Sequence, residues 1–432
     1  MTRRKVLIVS YWYPPHQAMG ALRVAKMAEH LQEHGWSPSV ITVSPHDDRY
    51  MRAGGLPAPA LVSVHRTVDR SLHRWAAAVP GGSAEARTRR RGTLARWAYR
   101  LYRGVLCFPD ECWPWAVRGY REILGIARQE RPDVILSSSP PVSCHLIARR
   151  LSRELGVPWV AELRDLWTQN HLLSRPRLLL ALERTLERRT LAGARSLVTV
   201  SEPLAERLRS LHGKPAIAIS AGFDPQPSVE APRRGSGPFS FVHTGLIYPG
   251  RRDPRLLIAA LSRLVDEGEL RPSDVSVRFF GRNLAYVADL CDEYTSVADS
   301  IVIGGEVSHQ EALHQQRTAD CLLLLEWVDP RAKGVYTGKL FEYLGSNRPI
   351  LAIAVAGGVI DRLLEETGAG ACVASEDEAY RIVRSWIGAV RSGGAVPLIR
   401  NEAEVGRYAW STRARLLSDV LRDGLAARKD CS

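Results

Sequence analysis

Long hydrophobic runs are missing from this chain. Nothing in it approaches the roughly 20 consecutive apolar residues of a membrane-spanning helix, so no span is expected. The start "MTRRKVLIVSYWYPP" is basic, but its apolar run, Val6 to Ser10, is too short for a secretory signal. Cysteine is scarce and unordered: Cys107, Cys112, Cys144, Cys291, Cys321, Cys372 and Cys431 are odd in number and form no CxxC pair. That argues against a disulfide frame and against a metal site, and fits small core residues of a reduced cytoplasmic protein. Also lacking is any helix-turn-helix, zinc finger or aromatic sheet platform, so no nucleic-acid partner is expected. Acid is short in one half only. Residues 1–220 hold 34 Lys and Arg against 18 Asp and Glu, and the remainder holds 25 against 28, so the net +13 belongs to the first half. A basic half points to an anionic partner on that side.

What is present is a rhythm. At 432 residues two domains are the first expectation, and the segments bear it out as an alternation of strand and helix. "KVLIVS" is a continuous apolar run, hence a buried strand, followed by a helical stretch from about Gly20 to His34. "SPSVITV", "PDVILSS", "VPWVAEL", "SLVTVS" and "AIAIS" continue the series, which predicts a doubly wound parallel sheet. "PQPSVEAPRRGSGP" reads as a linker. The pattern then restarts with "FSFVHTG", "VSVRFFG", "SIVIGG", "DCLLLL", "RPILAIA" and "GACVA". The fold class is therefore α/β, two tandem Rossmann-like domains, with ligands expected in the cleft at their C-terminal strand ends. The expected divisions are 1–224 with a basic helical insertion at about 66–130, the linker 225–238, a second domain 239–402, and a C-terminal helix over 403–432. High arginine and alanine suggest a GC-rich bacterial genome.

One stretch, from about Asp48 to Trp115, breaks the rhythm. Between Ala86 and Phe108 it has seven arginines and no acid. On a helix, Arg89, Arg96, Arg100 and Arg103 share one face, while Leu94, Trp97, Leu101 and Val105 share another. Such a pattern suits a solvated helix packed on its own domain before it suits a membrane-surface anchor.

Several pieces resemble, in order, landmarks of the family 4 glycosyltransferases of the GT-B fold. They are "SYWYPPHQAMGALRVAKMAEHLQEHGWSPSVITV", Pro109-Asp110-Glu111-Cys112-Trp113, "PDVILSSSPP", "PWVAELRDLW", "VTVSEPLAERL", "AGFDP", "HTGLIYPGRRDP" and "GKLFEYLGSNRPIL". The resemblance covers nearly the whole chain. It implies a metal-independent enzyme that moves a sugar from a nucleoside-diphosphate sugar, UDP- or GDP-linked, to an acceptor hydroxyl with retention of configuration. No cofactor is implied.

The chemistry can then be placed. A diphosphate needs backbone N–H groups at a helix start and one or two cations. Thr337, Gly338, Lys339 and Leu340 open a helix, and Arg251 and Arg252 follow the strand ending at Thr244 and Gly245. Glu342, three residues beyond Lys339, is placed for sugar hydroxyls, and the resemblance implies that it contacts the ribose. The bland reading is a surface Lys–Glu pair. Gly281, in "GRN", borders the base or is a plain turn. On the acceptor side stand Tyr13, His16, Gly20 (for close backbone approach to a ligand), Arg23 and Ser138. Arg164 and Asp165 end another strand as catalytic candidates with Lys339, or as a buried pair bracing the loop. His145 is not assigned as a catalyst.

Two departures matter. The family commonly has a glutamate eight residues before Glu342, and Gly334 stands there, with Glu326 and Asp329 near enough to substitute. Many relatives have a histidine near Ser138, and this chain does not. Rival readings are a nucleotide-sugar epimerase and a non-catalytic protein of the same fold docking on a membrane or partner. The acceptor is expected to be lipid-linked or anionic and held at the cytoplasmic membrane face, or else a soluble natural product.

Overall fold

The computed structural model describes residues 3–16, 18–45, 56–68, 107–170, 175–225 and 237–426. The Arg89–Arg103 helix and most of the expected linker lie outside them. The chain divides into two compact units, 1–220 together with 410–432, and 221–409.

The first unit holds a seven-stranded parallel sheet in the order β3-β2-β1-β4-β5-β6-β7. Its strands are β1 (Arg4–Ser10), β2 (Trp36–Val43), β3 (Ser63–Thr67), β4 (Val134–Ser139), β5 (Trp159–Leu163), β6 (Ser196–Thr199) and β7 (Ala216–Ala218). The central strands are covered on both faces, which is why they read as unbroken apolar runs. The helices are α1 (Met19–Leu31), α2 (Trp113–Arg118), α3 (Tyr120–Glu130), α4 (Ser143–Leu155), α5 (Arg177–Leu191) and α6 (Glu202–His212). One core gathers Leu7, Val9, Ile41, Trp115, Ile135, Ile147, Trp159 and Leu163. β3 escapes the apolar pattern because "SVHRT" is an edge strand with only Thr67 buried. It is pinned there by Trp115 Nε1–H donating to Thr67 Oγ1 at 2.8 Å. Of the expected insertion, α2 and α3 are regular helices whose Trp115, Tyr120, Ile123 and Ala127 join the core.

The second unit repeats the plan with six parallel strands in the order β10-β9-β8-β11-β12-β13. They are β8 (Phe239–Leu246), β9 (Val275–Arg282), β10 (Ile301–Gly305), β11 (Cys321–Leu325), β12 (Ile350–Ile353) and β13 (Gly370–Val373). Around them pack α7 (Arg255–Asp266), α8 (Ala285–Glu293), α9 (His309–Thr318), α10 (Gly338–Gly345), α11 (Val359–Thr367), α12 (Glu376–Arg391) and α13 (Glu402–Gly406).

The single helix expected over 403–432 is divided. After α13 the backbone at Ala409 bridges to Phe223, and α14 (Trp410–Ala426) then starts afresh. α14 belongs to the first unit. Its Trp410, Ala414, Leu417 and Leu421 are buried, and its Ser418 Oγ accepts Trp36 Nε1–H at 2.9 Å.

Candidate functional site

In the first unit, the residues expected to meet an acceptor turn mostly inward. Arg23 is 4 % exposed. Its Nε and Nη2 donate to Glu162 Oε1 at 3.0 and 2.7 Å, Nη1 to the Ser220 carbonyl at 2.6 Å and Nη2 to the Ile219 carbonyl at 2.7 Å. Arg23 therefore ties α1 to β5 and to the segment after β7. The buried pair in this region is Arg23–Glu162, not Arg164–Asp165. Ser138 Oγ also donates to Glu162, at 2.5 Å. Burial pushes the Glu162 carboxyl up, but the Arg23 and Arg164 charges outweigh it and hold the group below the usual range.

Gly20 is a glycine for a different reason than expected. A Cβ there would stand 2.6 Å from the Arg164 guanidinium carbon, so it is Arg164 that approaches the backbone closely. Arg164 Nη1 donates to the Gly20 carbonyl at 2.9 Å and Nη2 to the Pro140 carbonyl at 2.7 Å. Arg164 thus braces two loops, and Asp165 beside it is exposed. Tyr13 and His16 are buried. His16 Nδ1–H donates to the Tyr13 carbonyl at 3.0 Å, and burial pushes the Tyr13 phenol up to about 12, partly offset by Arg66.

His145 is a satisfied core histidine. Ser139 Oγ–H donates to the Glu162 carbonyl at 3.4 Å, so Ser139 Oγ accepts His145 Nε2–H at 2.8 Å. Nδ1 then accepts from the Ser137 hydroxyl at 2.7 Å, whose oxygen also accepts Trp159 Nε1–H at 2.7 Å. Burial lowers this imidazole to about 3. Asp110, from the Pro109–Trp113 landmark, is likewise a clamp. It accepts from Ser143 N and Oγ at 2.7 Å each and from Cys112 N at 2.8 Å, fixing the start of α4.

The strand ends of the second unit are arranged differently. Thr337 leads into α10 with extended backbone and no side-chain cap, so the first N–H groups of the helix, at Gly338 and Lys339, point outward uncapped. Leu340 does not share this exposure: its N–H turns back to the Thr337 carbonyl at 3.2 Å and its side chain is in the core. Lys339 Nζ donates to Glu342 Oε1 at 2.7 Å, and Gln316 Nε2 donates to the same oxygen at 2.5 Å. Among the described residues no hydrogen bond reaches Glu342 Oε2. Burial raises the Glu342 carboxyl, but Lys339 and the Gln316 bond hold it below its ordinary value. Gln316 also donates to Thr244 Oγ1 at 2.9 Å, and the Thr244 N–H donates to Tyr343 Oη at 3.0 Å. The end of β8 is thereby tied to α10.

Arg252 joins this group. Its Nη2 donates to Glu326 Oε2 at 3.1 Å, at the end of β11. Arg251 and Arg331 lie over the Trp327 ring at 4.6 and 4.5 Å from its centroid. Of the two acids near the Gly334 position, Asp329 is occupied by Arg331 at 2.8 and 2.9 Å, which leaves Glu326 facing Arg252. Gly281 serves the sheet. Its φ is +140° and a Cβ would fall 1.8 Å from the Gly245 carbonyl oxygen, so the glycine lets β9 lie against β8.

Gln316, Tyr343 and His243 escape the sequence reading. His243 is 3 % exposed and donates from Nδ1 to the Leu323 carbonyl at 2.9 Å. Its Nε2 is an acceptor that no donor among the described residues reaches, and a Cβ on Gly245 would stand 3.2 Å from it. Burial lowers its pKa to about 4. A histidine inside "FVHTG" carries no spacing signal, and Gln316 is 26 residues from Glu342, so only the fold brings them together.

Comparison with known proteins agrees with this architecture. Residues 20–220 match the family model described as a glycosyl transferase 4-like domain. No curated protein matches the chain. Sucrose-phosphate synthase from Thermosynechococcus elongatus is similar in structure, with TM-score 0.62 and 13 % identity over 98 % of this chain and 100 % of that one. HepE from Anabaena, in complex with UDP, gives TM-score 0.62 and 13 % identity over 97 % and 100 %. A putative UDP-N-acetylglucosamine 2-epimerase from Listeria monocytogenes gives TM-score 0.51 and 12 % identity over 96 % and 94 %.

Proposed function

From its GT-B fold and its glycosyl transferase 4-like domain at residues 20–220, we propose that this chain is a glycosyltransferase. It takes a nucleoside-diphosphate sugar, UDP- or GDP-linked, and passes the sugar to an acceptor hydroxyl with retention of configuration. The observation that carries this reading is the head of α10, where two outward N–H groups, Lys339 and Glu342 stand beside the Arg252 end of the sheet.

In this reading Lys339 exchanges its bond to Glu342 for a phosphate oxygen, and Glu342 accepts from the ribose hydroxyls, held in place by Gln316. Arg251 and Arg252 meet the remaining diphosphate charge. As the diphosphate leaves, its growing negative charge is stabilised by these cations and the α10 dipole, without a metal. A departing phosphate oxygen takes the acceptor's proton. The UDP bound to HepE, a structural neighbour, favours a uridine nucleotide. Arg164 positions the loops at the strand ends of the first unit, and Asp165 is the exposed group offered there to an acceptor. The basic first half fits an anionic or lipid-linked acceptor at a membrane surface.

Calorimetric titration with UDP, GDP, dTDP and ADP tests the donor site. One nucleotide is expected to bind, and Glu342→Ala and Lys339→Ala to weaken it. No binding by any of them would overturn the reading. The epimerase neighbour supplies a second reading. Conversion of the donor with no acceptor present would favour it.

A further inference from the structure

Helix α5 buries Leu191 and packs Leu186 on the core, yet it also turns two carboxylates inward and two leucines outward. The residues it buries include Glu183 and Glu187, exposed by only 2 % and 1 %, while Leu178 and Leu182 stand 75 % and 54 % exposed. Both carboxylates are engaged within the unit. Glu183 accepts Trp167 Nε1–H at 3.0 Å and pairs with Arg175 Nε at 2.8 Å; Glu187 accepts from Thr168 N and Oγ1 and lies 3.3 Å from His212 Nε2. These partners lock the rotation of the helix about its axis, so the leucines stay outward.

The outward face is orderly. At 100° per residue, Arg177, Arg184 and Arg188 form one stripe and Leu178 and Leu182 the stripe beside it. Arg189 lies between the leucines. All four arginines are exposed, no acid shares the face, and none of the four has a carboxylate partner among the described residues. The occupant must therefore be anionic and offer an apolar layer. The chain's own segment 69–106 has nine arginines against two acids, and a second copy meeting this face through its own α5 would present the same cations, so neither complements the face. A sheet of anionic lipid headgroups does. Headgroup phosphates meet the arginine stripe, and the headgroup–acyl boundary takes the leucines.

We propose that α5 is the surface on which this protein lies on an anionic bilayer, its axis in the membrane plane. This rests on the membrane-facing part of the proposed function, but not on the donor chemistry. The test is co-sedimentation of the full chain with vesicles of phosphatidylglycerol and phosphatidylcholine in equal parts, against phosphatidylcholine alone. The wild type is expected to bind only the anionic vesicles. Arg177→Glu/Arg184→Glu/Arg188→Glu should weaken that binding about a hundredfold, and Leu178→Ser/Leu182→Ser about tenfold. Melting temperature and nucleotide affinity should not change in either variant, because all of these residues are exposed. The proposal is overturned if the wild type ignores anionic vesicles, or binds only a soluble acidic protein. It is equally overturned if both variants bind as the wild type does while Arg96→Glu/Arg100→Glu/Arg103→Glu abolishes binding. Loss of nucleotide binding with vesicle binding intact would count against the glycosyltransferase reading alone.

Discussion

Glu342 receives two donors on one oxygen, Lys339 at 2.7 Å and Gln316 at 2.5 Å. Its other oxygen is thereby aimed and fixed before any ligand arrives, which limits the ordering cost of binding. Glu342→Ala should weaken nucleotide binding at least about tenfold, the worth of a hydrogen bond to a charged group. Gln316→Ala should cost less, since it loosens the aim without removing the acceptor; calorimetry separates the two, and equal losses would assign Gln316 a direct role. The buried histidines make a pH prediction. His145 and His243 are lowered from 6.5 to about 3 and about 4, so the folded chain keeps them neutral where the unfolded chain binds protons. Stability should therefore be full above about pH 6.5 and fall as pH drops toward 4, by ~1.4 kcal/mol per pH unit for each histidine. Urea titrations of His145→Gln should show that slope reduced by one histidine's share; an unchanged slope would mean the imidazole is charged in the fold.

At the scale of elements, α5 shows what a linear sequence conceals. In "LLLALERTLERR" Glu183 and Glu187 take inner positions because Trp167, Thr168, Arg175 and His212 lie there. Those partners come from other elements, and no local spacing announces them. The same limit hid Arg23–Glu162, 139 residues apart. The strands, by contrast, were legible wherever both faces are buried, as in "KVLIVS" and "DCLLLL"; β3 was not, because an edge strand needs no apolar run. The head of α10 was legible in "TGKLFE" because a helix start and its i, i+3 pair are local features. Glu183→Ala would leave Trp167 Nε1–H without its acceptor in the interior and remove the carboxylate 2.8 Å from Arg175 Nε. A loss of about 3 kcal/mol is expected, read as a fall in melting temperature. A change within experimental error would show that the pair is not what holds the segment after β5.

For the whole molecule, the decisive feature is that the first unit is closed by the last helix. Trp410, Leu417 and Leu421 of α14 are buried in it, Ser418 accepts from Trp36, and Arg422 donates to the His34 carbonyl at 2.9 Å. A chain ending at Ala409 should leave this unit open to proteolysis while residues 221–409, whose ends meet at Phe223 and Ala409, resist it. Equal protection of both units after limited digestion would refute that division of labour. There is a consequence for synthesis. The ribosome delivers residues 1–220 before 221–409, but the piece that completes their core arrives only after both, on the order of ten seconds or more later. The second unit can finish folding while the first still waits for that helix, so the half that carries the chain's net positive charge is the one most in need of a chaperone at birth.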